Sequence, residues 1–428
     1  KQKDIEKAEL IKKHKNDILK LVMNSALKAA MPKDKFKTLP LKPKGKLLVI
    51  GAGKAAASMA KEFEDSYNDG PIEGIVITRY GHSTKTKFIE VVEASHPEPD
   101  KIGLIASKKL FDLAKKADED DHVIFLISGG ASSLLTLPAD GINFEEKQRI
   151  NKELLISGAP IDQMNIVRRA LSKIKGGRLA EAIYPAKLST YMISDIPGDD
   201  PSYIGSGPTI QANGSNNDAL KILNNYKIDI SQNLKEIIIK NQLPKILNSP
   251  TYMLANPMMA LKSAYDEAEK FGCKPIIISD SLEGEARVEA QKMADLAIKI
   301  KKEKKFKNID LKQPILLLSG GETTVTVKGN GKGGRNTEFM LSMAIHLNEA
   351  SGITALSIDS DGIDGVEDNA GAFISDVTLR KAKSKNLMPQ KFLDNNDSYS
   401  FFQKIDDLIF TNPTLTNVND FRAVLIEP

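Results

Sequence analysis

Three charged side chains of this 428-residue sequence stand where an apolar run gives way to a tight polar turn. Lys54 lies inside Gly51-Ala52-Gly53-Lys54-Ala55-Ala56. A lysine in a glycine turn at a helix start reaches a phosphate as a point charge; the alternative is a solvated lysine. Asp195 follows the run Leu188 to Ile193, and Ile196-Pro197-Gly198 then forces an abrupt turn. A carboxylate there acts as a base toward a substrate hydroxyl, or else serves as a turn or cap aspartate. Arg335 follows Gly333-Gly334 and opens a helix read from the spacing of Phe339, Met340, Met343, Ala344 and Leu347. Adjacent glycines let backbone approach a ligand, a helix N-terminus attracts anions, and the guanidinium adds a planar fork matched to phosphate or carboxylate. The alternative is a helix entry with a solvated arginine.

Other turns add to these. Ser128-Gly129-Gly130-Ala131-Ser132-Ser133 is built of small residues, so backbone N–H groups and hydroxyls can converge on a substrate carboxylate; a tight strand-to-helix turn explains the same residues. Gly51-x-Gly53-x-x-Ala56 fits a dinucleotide fingerprint, which wants an acid at the end of the next strand. That strand ends in Thr78-Arg79, which disfavours NAD. The Walker spacing is absent. Asp359, Asp361 and Asp364 offer oxygens to Mg²⁺ or form Asp-Gly turns. The glutamate of a calcium loop is missing.

The elements that must position these residues alternate along the chain. Apolar runs at 46–50, 122–127, 188–193, 275–278, 315–318 and 353–358 each end in a small or acidic polar loop. This is the pattern of an α/β fold, in which ligands gather beyond the carboxyl ends of the strands. Residues 4–31 read as one or two amphipathic helices with Ile5, Leu10, Ile11, Ile18, Leu21 and Val22 on one side. Helices are expected at about 101–116, 257–270, 284–304 and 336–348, a strand at Ile75–Thr78, and a strand pair at about 314–327. Residues 144–185 look helical in pieces, broken by Gly158, Pro160 and Gly176-Gly177. The stretch 208–250 is rich in Asn and Lys, and the domain boundary is placed near 245–250.

Composition narrows the function classes. The length suits two or three domains. A formal charge of +4 is small for such a chain and points to no nucleic-acid partner. One cysteine, Cys273, excludes an internal disulfide and a multi-cysteine metal cluster. The five histidines form no metal-ligand signature. No apolar run approaches membrane-spanning length, and the first residues resemble neither a signal nor a transit peptide. A cytoplasmic enzyme with no membrane partner is expected.

With these residues in hand, the chain resembles the glycerate 2-kinase family, whose C-terminal part is called the MOFRL domain. The resemblance runs nearly end to end. It rests on Gly51-Ala52-Gly53-Lys54-Ala55, Ser95-His96-Pro97, Ser128 to Leu135, Asn165-x-Val167-Arg168, Lys173-x-Lys175-Gly176-Gly177-Arg178-Leu179-Ala180, Ser194 to Asp199 and Ser206-Gly207-Pro208-Thr209. It continues through Ser319 to Val325, Gly333-Gly334-Arg335-Asn336-x-Glu338, Asp361-Gly362-x-Asp364-Gly365, Ala370-Gly371-Ala372 and Thr416-Asn417-Val418-Asn419-Asp420. Asn412-Pro413-Thr414-Leu415 departs from the family's common Gly-Pro-Thr-Gly.

The resemblance implies ATP- and Mg²⁺-dependent phosphorylation of D-glycerate, most often at the 2-hydroxyl, in a cleft between two α/β domains. The N-terminal, Rossmann-like domain is expected over 1–247 and the C-terminal one over 248–428. Lys54, Asp195 and Arg335 take the catalytic positions. Ser128, Gly129, Gly130, Ala131 and Ser132 are the candidates for holding substrate. Gly51, Gly53, Gly320, Gly321, Glu322, Gly333 and Gly334 are candidates for the nucleotide, and Asp361 for the metal. A homodimer stays open. Two rivals also stay open: a hydroxypyruvate reductase using NAD(P)H, and a non-catalytic nucleotide or sugar-acid sensor.

Overall fold

The computed structural model describes the backbone of residues 2–310 and 312–428, and the side chains of these residues except 2–13 and 310. The chain begins with α1 (Gln2–Ala30), β1 (Leu47–Ala52), α2 (Ala56–Ser66), β2 (Ile72–Arg79), β3 (Glu90–Ala94), α3 (Lys101–Lys115), β4 (His122–Ser128) and α4 (Ala131–Leu134). It continues with α5 (Phe144–Ile156), α6 (Ile161–Ala170), α7 (Arg178–Ile183), β5 (Lys187–Ile193), α8 (Asn216–Asn225), α9 (Gln232–Lys240) and β6 (Thr251–Ala255). Then come α10 (Pro257–Lys270), β7 (Lys274–Leu282), α11 (Ala286–Glu303), β8 (Lys305–Phe306), β9 (Ile309–Asp310), β10 (Ile315–Gly321) and α12 (Arg335–Leu347). The last elements are β11 (Ile353–Asp359), β12 (Gly371–Ile374), α13 (Thr378–Ser384), α14 (Pro389–Asp394), α15 (Ser398–Ile405), β13 (Leu408–Ile409) and β14 (Asp420–Ile426).

Two compact units result: residues 32–254, and residues 1–31 together with 255–428. The sequence expectation of a first domain over 1–247 is therefore corrected at both ends. The reason is α1, which packs on α10. The hydroxyls of Ser25 and Ser263 lie 2.8 Å apart, and each reaches the other residue's carbonyl at 3.1 Å. Leu19, Val22 and Ala26 are buried, and Thr416 Oγ1 donates to the Ala30 carbonyl at 2.6 Å. Ile18 and Val22 are buried as expected, but Leu21 is exposed. The side chains of Ile5, Leu10 and Ile11 lie outside the described residues.

In the unit of residues 32–254 the sheet order is β3-β2-β1-β4-β5-β6. β1 pairs in parallel with β2 and β4, β2 with β3, and β4 with β5. This is the doubly wound order, and its switch point lies between β1 and β4. Every residue of β1 is buried, as expected for a strand covered on both faces. A separate helical cluster, with Ile150, Leu154, Val167, Leu223 and Ile238 at its centre, joins α5, α6, α8 and α9. The last two helices were not foreseen in the Asn- and Lys-rich stretch.

The second sheet runs β13-β12-β11-β14-β10-β7. β7 and β10 are parallel, while β14 pairs antiparallel with both β10 and β11. The carboxyl ends of β10 and β11 thus meet the amino end of β14. Two sequence expectations change here. The strand pair at 314–327 is the single strand β10, followed by irregular chain. Near the end of the chain, where the sequence reading places no strand, β14 is a fully buried strand inside the sheet.

Candidate active site

The parallel register sets Lys54, the 128–133 turn and Asp195 side by side. Ala52 pairs with Ile127, and Ser128 with Ile193, so Gly53–Lys54, Gly129–Gly130 and Ser194–Asp195 leave three adjacent strand ends at the switch point. The Lys54 N–H donates to the Gly129 carbonyl at 2.9 Å. Gly130 has φ +85°, and a Cβ there would lie 3.1 Å from the His96 ring and 3.2 Å from Lys54 Cγ. Lys54 and His96 therefore flank the same point of the turn, and glycine is what admits both. His96 belongs to a family-like sequence block but was given no role; its position beyond β3 was its only sequence signal.

The glycine turn itself is not a phosphate cradle. Gly51 sits inside β1, paired with Leu126. The Gly53 N–H donates to the Ile77 carbonyl at 3.0 Å and the Ala56 N–H to Gly53 at 3.1 Å. The Ala55 N–H donates to Ser128 Oγ at 3.0 Å. These amides face inward, so the nucleotide role expected of Gly51 and Gly53 loses its donors, and the charged group this turn carries is the Lys54 side chain. Ser128 is likewise a buried strut between β4 and the glycine turn. Ala131 is buried, and Ser132 Oγ lies 3.3 Å from Ser206 Oγ.

Arg335 sits among carboxylates in the other unit. Its Nε donates to Asp420 Oδ1 at 2.9 Å and Oδ2 at 3.0 Å, and its Nη2 to Asp359 Oδ2 at 2.8 Å. Glu322 lies 3.5 Å from Nη1. Burial works against the charge, but Asp420, Asp359 and Glu322 outweigh it and hold the guanidinium well above its ordinary value. Asp420 also accepts from Arg422 Nη2 at 2.8 Å. Gly320 and Gly321 belong to the β10 ladder rather than to a loop, and the Gly320 carbonyl accepts from Arg422 Nη1 at 2.8 Å.

Two of the first amides of α12 are held by a side chain of the protein itself. Asp364 accepts from the Asn336 and Thr337 N–H groups, each at 2.9 Å, and from Thr337 Oγ1 at 2.9 Å. A Cβ on Gly334 would lie 2.4 Å from Asp364 Oδ1, so the glycine pair serves this approach. The Asn336 and Thr337 amides, which a helix start offers to a ligand anion, are taken by the protein's own carboxylate. Burial raises the Asp364 pKa, against the N–H bonds from Thr337 and Asn336 that lower it.

Asp361 is buried, and its Oδ1 accepts from the Ile363 N–H at 2.9 Å, which is a turn aspartate's bond. Among the described residues no group of three His, Cys, Asp or Glu side chains could hold a metal ion. The donor set offers no preformed protein cage, and fits only a Mg²⁺ carried mainly by phosphate oxygens and water. The Asn412-to-Leu415 turn keeps left-handed backbone at both ends, with φ +59° at Asn412 and +61° at Leu415. No helix among the described residues is long and apolar enough to cross a membrane.

A doubly wound sheet with charged strand ends defines a class of ligand-binding α/β protein, and comparison with known proteins specifies the family. A family model described as a domain of unknown function (DUF4147) matches residues 12–239, and the MOFRL family model matches 315–420. The D-glycerate 2-kinase of Thermotoga maritima is 38% identical, over 95% of this chain and 97% of that protein. A crystal structure of glycerate kinase from the same organism superposes with a TM-score of 0.87 at 37% identity, covering 96% of this chain and 100% of that one. A protein of Agrobacterium vitis provisionally named a hydroxypyruvate reductase is 44% identical, over 96% of this chain and 94% of that protein. The chain belongs to the glycerate 2-kinase family with a C-terminal MOFRL domain.

Proposed function

We propose that this chain transfers a phosphoryl group from ATP, taken as its Mg²⁺ complex, to the 2-hydroxyl of D-glycerate. The observation that carries the reading is the meeting of Lys54, the 129–133 turn and Asp195 on adjacent strand ends at the switch point. Phosphoryl transfer needs positioning and positive charge more than covalent chemistry. Lys54 would meet the moving phosphoryl group. Asp195 would accept the proton of the glycerate hydroxyl. Mg²⁺, when bound, would neutralise charge on the ATP phosphates. Arg335 would supply a second cation once a phosphate displaces Asp359 or Asp420 from it.

The test is ADP release by the purified protein with ATP, Mg²⁺ and D-glycerate. Release that depends on glycerate, with 2-phosphoglycerate identified by phosphorus NMR, is the expected result. ADP release indifferent to glycerate would sink the proposal, and 3-phosphoglycerate would correct its regiochemistry. The name of the Agrobacterium relative favours a second reading, NAD(P)H-dependent reduction of hydroxypyruvate. Against it stand the inward-turned amides of the 51–56 turn, since a dinucleotide pyrophosphate needs them. NADPH oxidation with hydroxypyruvate, followed by absorbance in the same preparation, separates the two.

A further inference from the structure

A cavity of 640 Å³ opens beside the 130–133 turn, with His96, Gly130, Ser132, Ser133, Asn151 and Arg168 on its wall. Arg168 comes from α6, one helical turn after the buried Asn165. Its guanidinium makes no hydrogen bond or ion pair among the described residues. The other charged groups on this wall are accounted for. Arg149 is paired with Glu146 and Glu153, each at 2.8 Å, and Glu98, Glu145 and Lys152 are exposed.

Two further basic side chains stand behind the turn. Lys147, buried on α5, donates from Nζ to Thr136 Oγ1 at 2.9 Å. Lys175, also buried, donates from Nζ to the carbonyls of Ser132 and Leu135, each at 2.8 Å. Among the described residues no carboxylate is paired with Lys147, Lys175 or Arg168. Burial, and then the Arg168 charge, pull Lys147 down to about 7. Burial, then Lys147 and Arg168, push Lys175 well below the ordinary lysine value. Burial alone lowers Arg168. A buried charge is normally paired. Here basic side chains are gathered around one turn, and the single guanidinium among them reaches an open cavity.

We infer that Arg168 is the residue that binds the carboxylate of the substrate acid, while Lys147 and Lys175 are positioning residues that hold the 130–136 turn behind it. The inference rests on the proposed function for the identity of the acid. The fork of an arginine matches two carboxylate oxygens. Lys54 is not on the wall of this cavity; it follows the end of β1, where the phosphoryl group is expected. In D-glycerate the reacting 2-hydroxyl is on the carbon bonded to the carboxylate, so the acid's charge and the phosphoryl acceptor are adjacent but distinct groups, and each takes its own cation.

The experiment compares wild type, Arg168→Ala and Arg168→Lys by thermal shift with D-glycerate, inorganic phosphate and uncharged glycerol, and by steady-state kinetics. Glycerate should raise the wild-type melting temperature, and Arg168→Ala should abolish that shift, with partial recovery in Arg168→Lys. Glycerol should produce no Arg168-dependent shift. The KM for glycerate should rise on the order of 100-fold in Arg168→Ala, while the KM for ATP stays within about twofold. A rise in the ATP KM instead, or a phosphate shift that Arg168→Ala abolishes while the glycerate shift survives, would assign the guanidinium to a phosphate and overturn the inference. Unchanged glycerate binding and KM would overturn it too. If wild type does not phosphorylate glycerate yet binds it in an Arg168-dependent way, the kinase reading fails and the subsite stands. If wild type phosphorylates glycerate and Arg168→Ala does so equally well, the subsite fails and the kinase reading stands. Should Arg168→Ala not fold, Arg168→Gln carries the same measurements.

Discussion

The surroundings of Arg168 and Arg335 are electrostatic opposites. Around Arg168 lie two buried lysines and no carboxylate contact, and the burial cost falls on every member of the group. Around Arg335 lie Asp359, Asp420 and Glu322, with Arg422 sharing Asp420. Both arginines are close to the start or end of a helix and both would look alike as exposed cations in sequence. The first is a charge the fold leaves for something else to neutralise. The second is a charge the fold has already neutralised, so a ligand must compete with three carboxylates for it.

The comparison breaks most visibly if Lys54 and Arg335 behave alike. Lys54→Ala should lower glycerate-dependent turnover by about 10³-fold or more with little change in the melting temperature. Arg335→Ala should also cost activity, but it strips a buried cation from its carboxylates, and such losses destabilise by about 3–5 kcal/mol. Urea denaturation of the two variants side by side checks this; equal stability of both would mean that the carboxylate cluster contributes little.

Asp364 sharpens the same contrast at the next level. Asp364→Ala would leave the Asn336 and Thr337 N–H groups buried without an acceptor. A loss of about 3 kcal/mol is expected from several orphaned donors, read as a shifted denaturation midpoint. A midpoint at the wild-type value would show that water replaces the carboxylate.

The smallest effect is a pH slope. Lys147 binds its proton less tightly in the folded state, near 7, than in the unfolded chain, near 10.5. Between those values the unfolded state carries more protons, so stability should rise with pH. Lys147→Met should flatten the rise between pH 7 and 9 by about 2 kcal/mol, from the per-unit linkage of about 1.4 kcal/mol. A slope equal to that of wild type would mean the ammonium is hydrated in the fold.

Much of this was legible in the residues. The runs at β1, β4, β5, β10 and β11 announce themselves as strands, and α10 falls on the expected 257–270. Lys54 and Asp195 were legible because local chain direction alone puts them at strand ends. The helices α8 and α9 were hidden by Asn-rich composition, although Ser215 with Asp218 forms a capping box and Ser231 a cap. β14 was hidden because Asp420 and Arg422 look wrong for a buried strand until they are seen to pair with each other. The partners of Arg335 lie 24 and 85 residues away, beyond any local pattern. Arg168 was visible only as part of a family-like block. One local signal did exist: Lys147 shares the buried face of α5 with Phe144, Ile150 and Leu154, where a charged residue is out of place.

The carboxylate of Asp364 is tethered to the helix it caps, and that changes what solutes can do there. A dissociable anion at the start of α12 would come and go with its concentration. A covalently attached one is presented at an effective concentration set by the fold, a regime that dissolved competitors reach only at millimolar levels or above. Phosphate or sulfate in the buffer should therefore leave the amides of Asn336 and Thr337 untouched, and an amide-resolved titration with either ion should show its largest responses elsewhere. The Asn336 and Thr337 amides at the start of α12 are held by a carboxylate of the chain itself, not left for a dissolved anion.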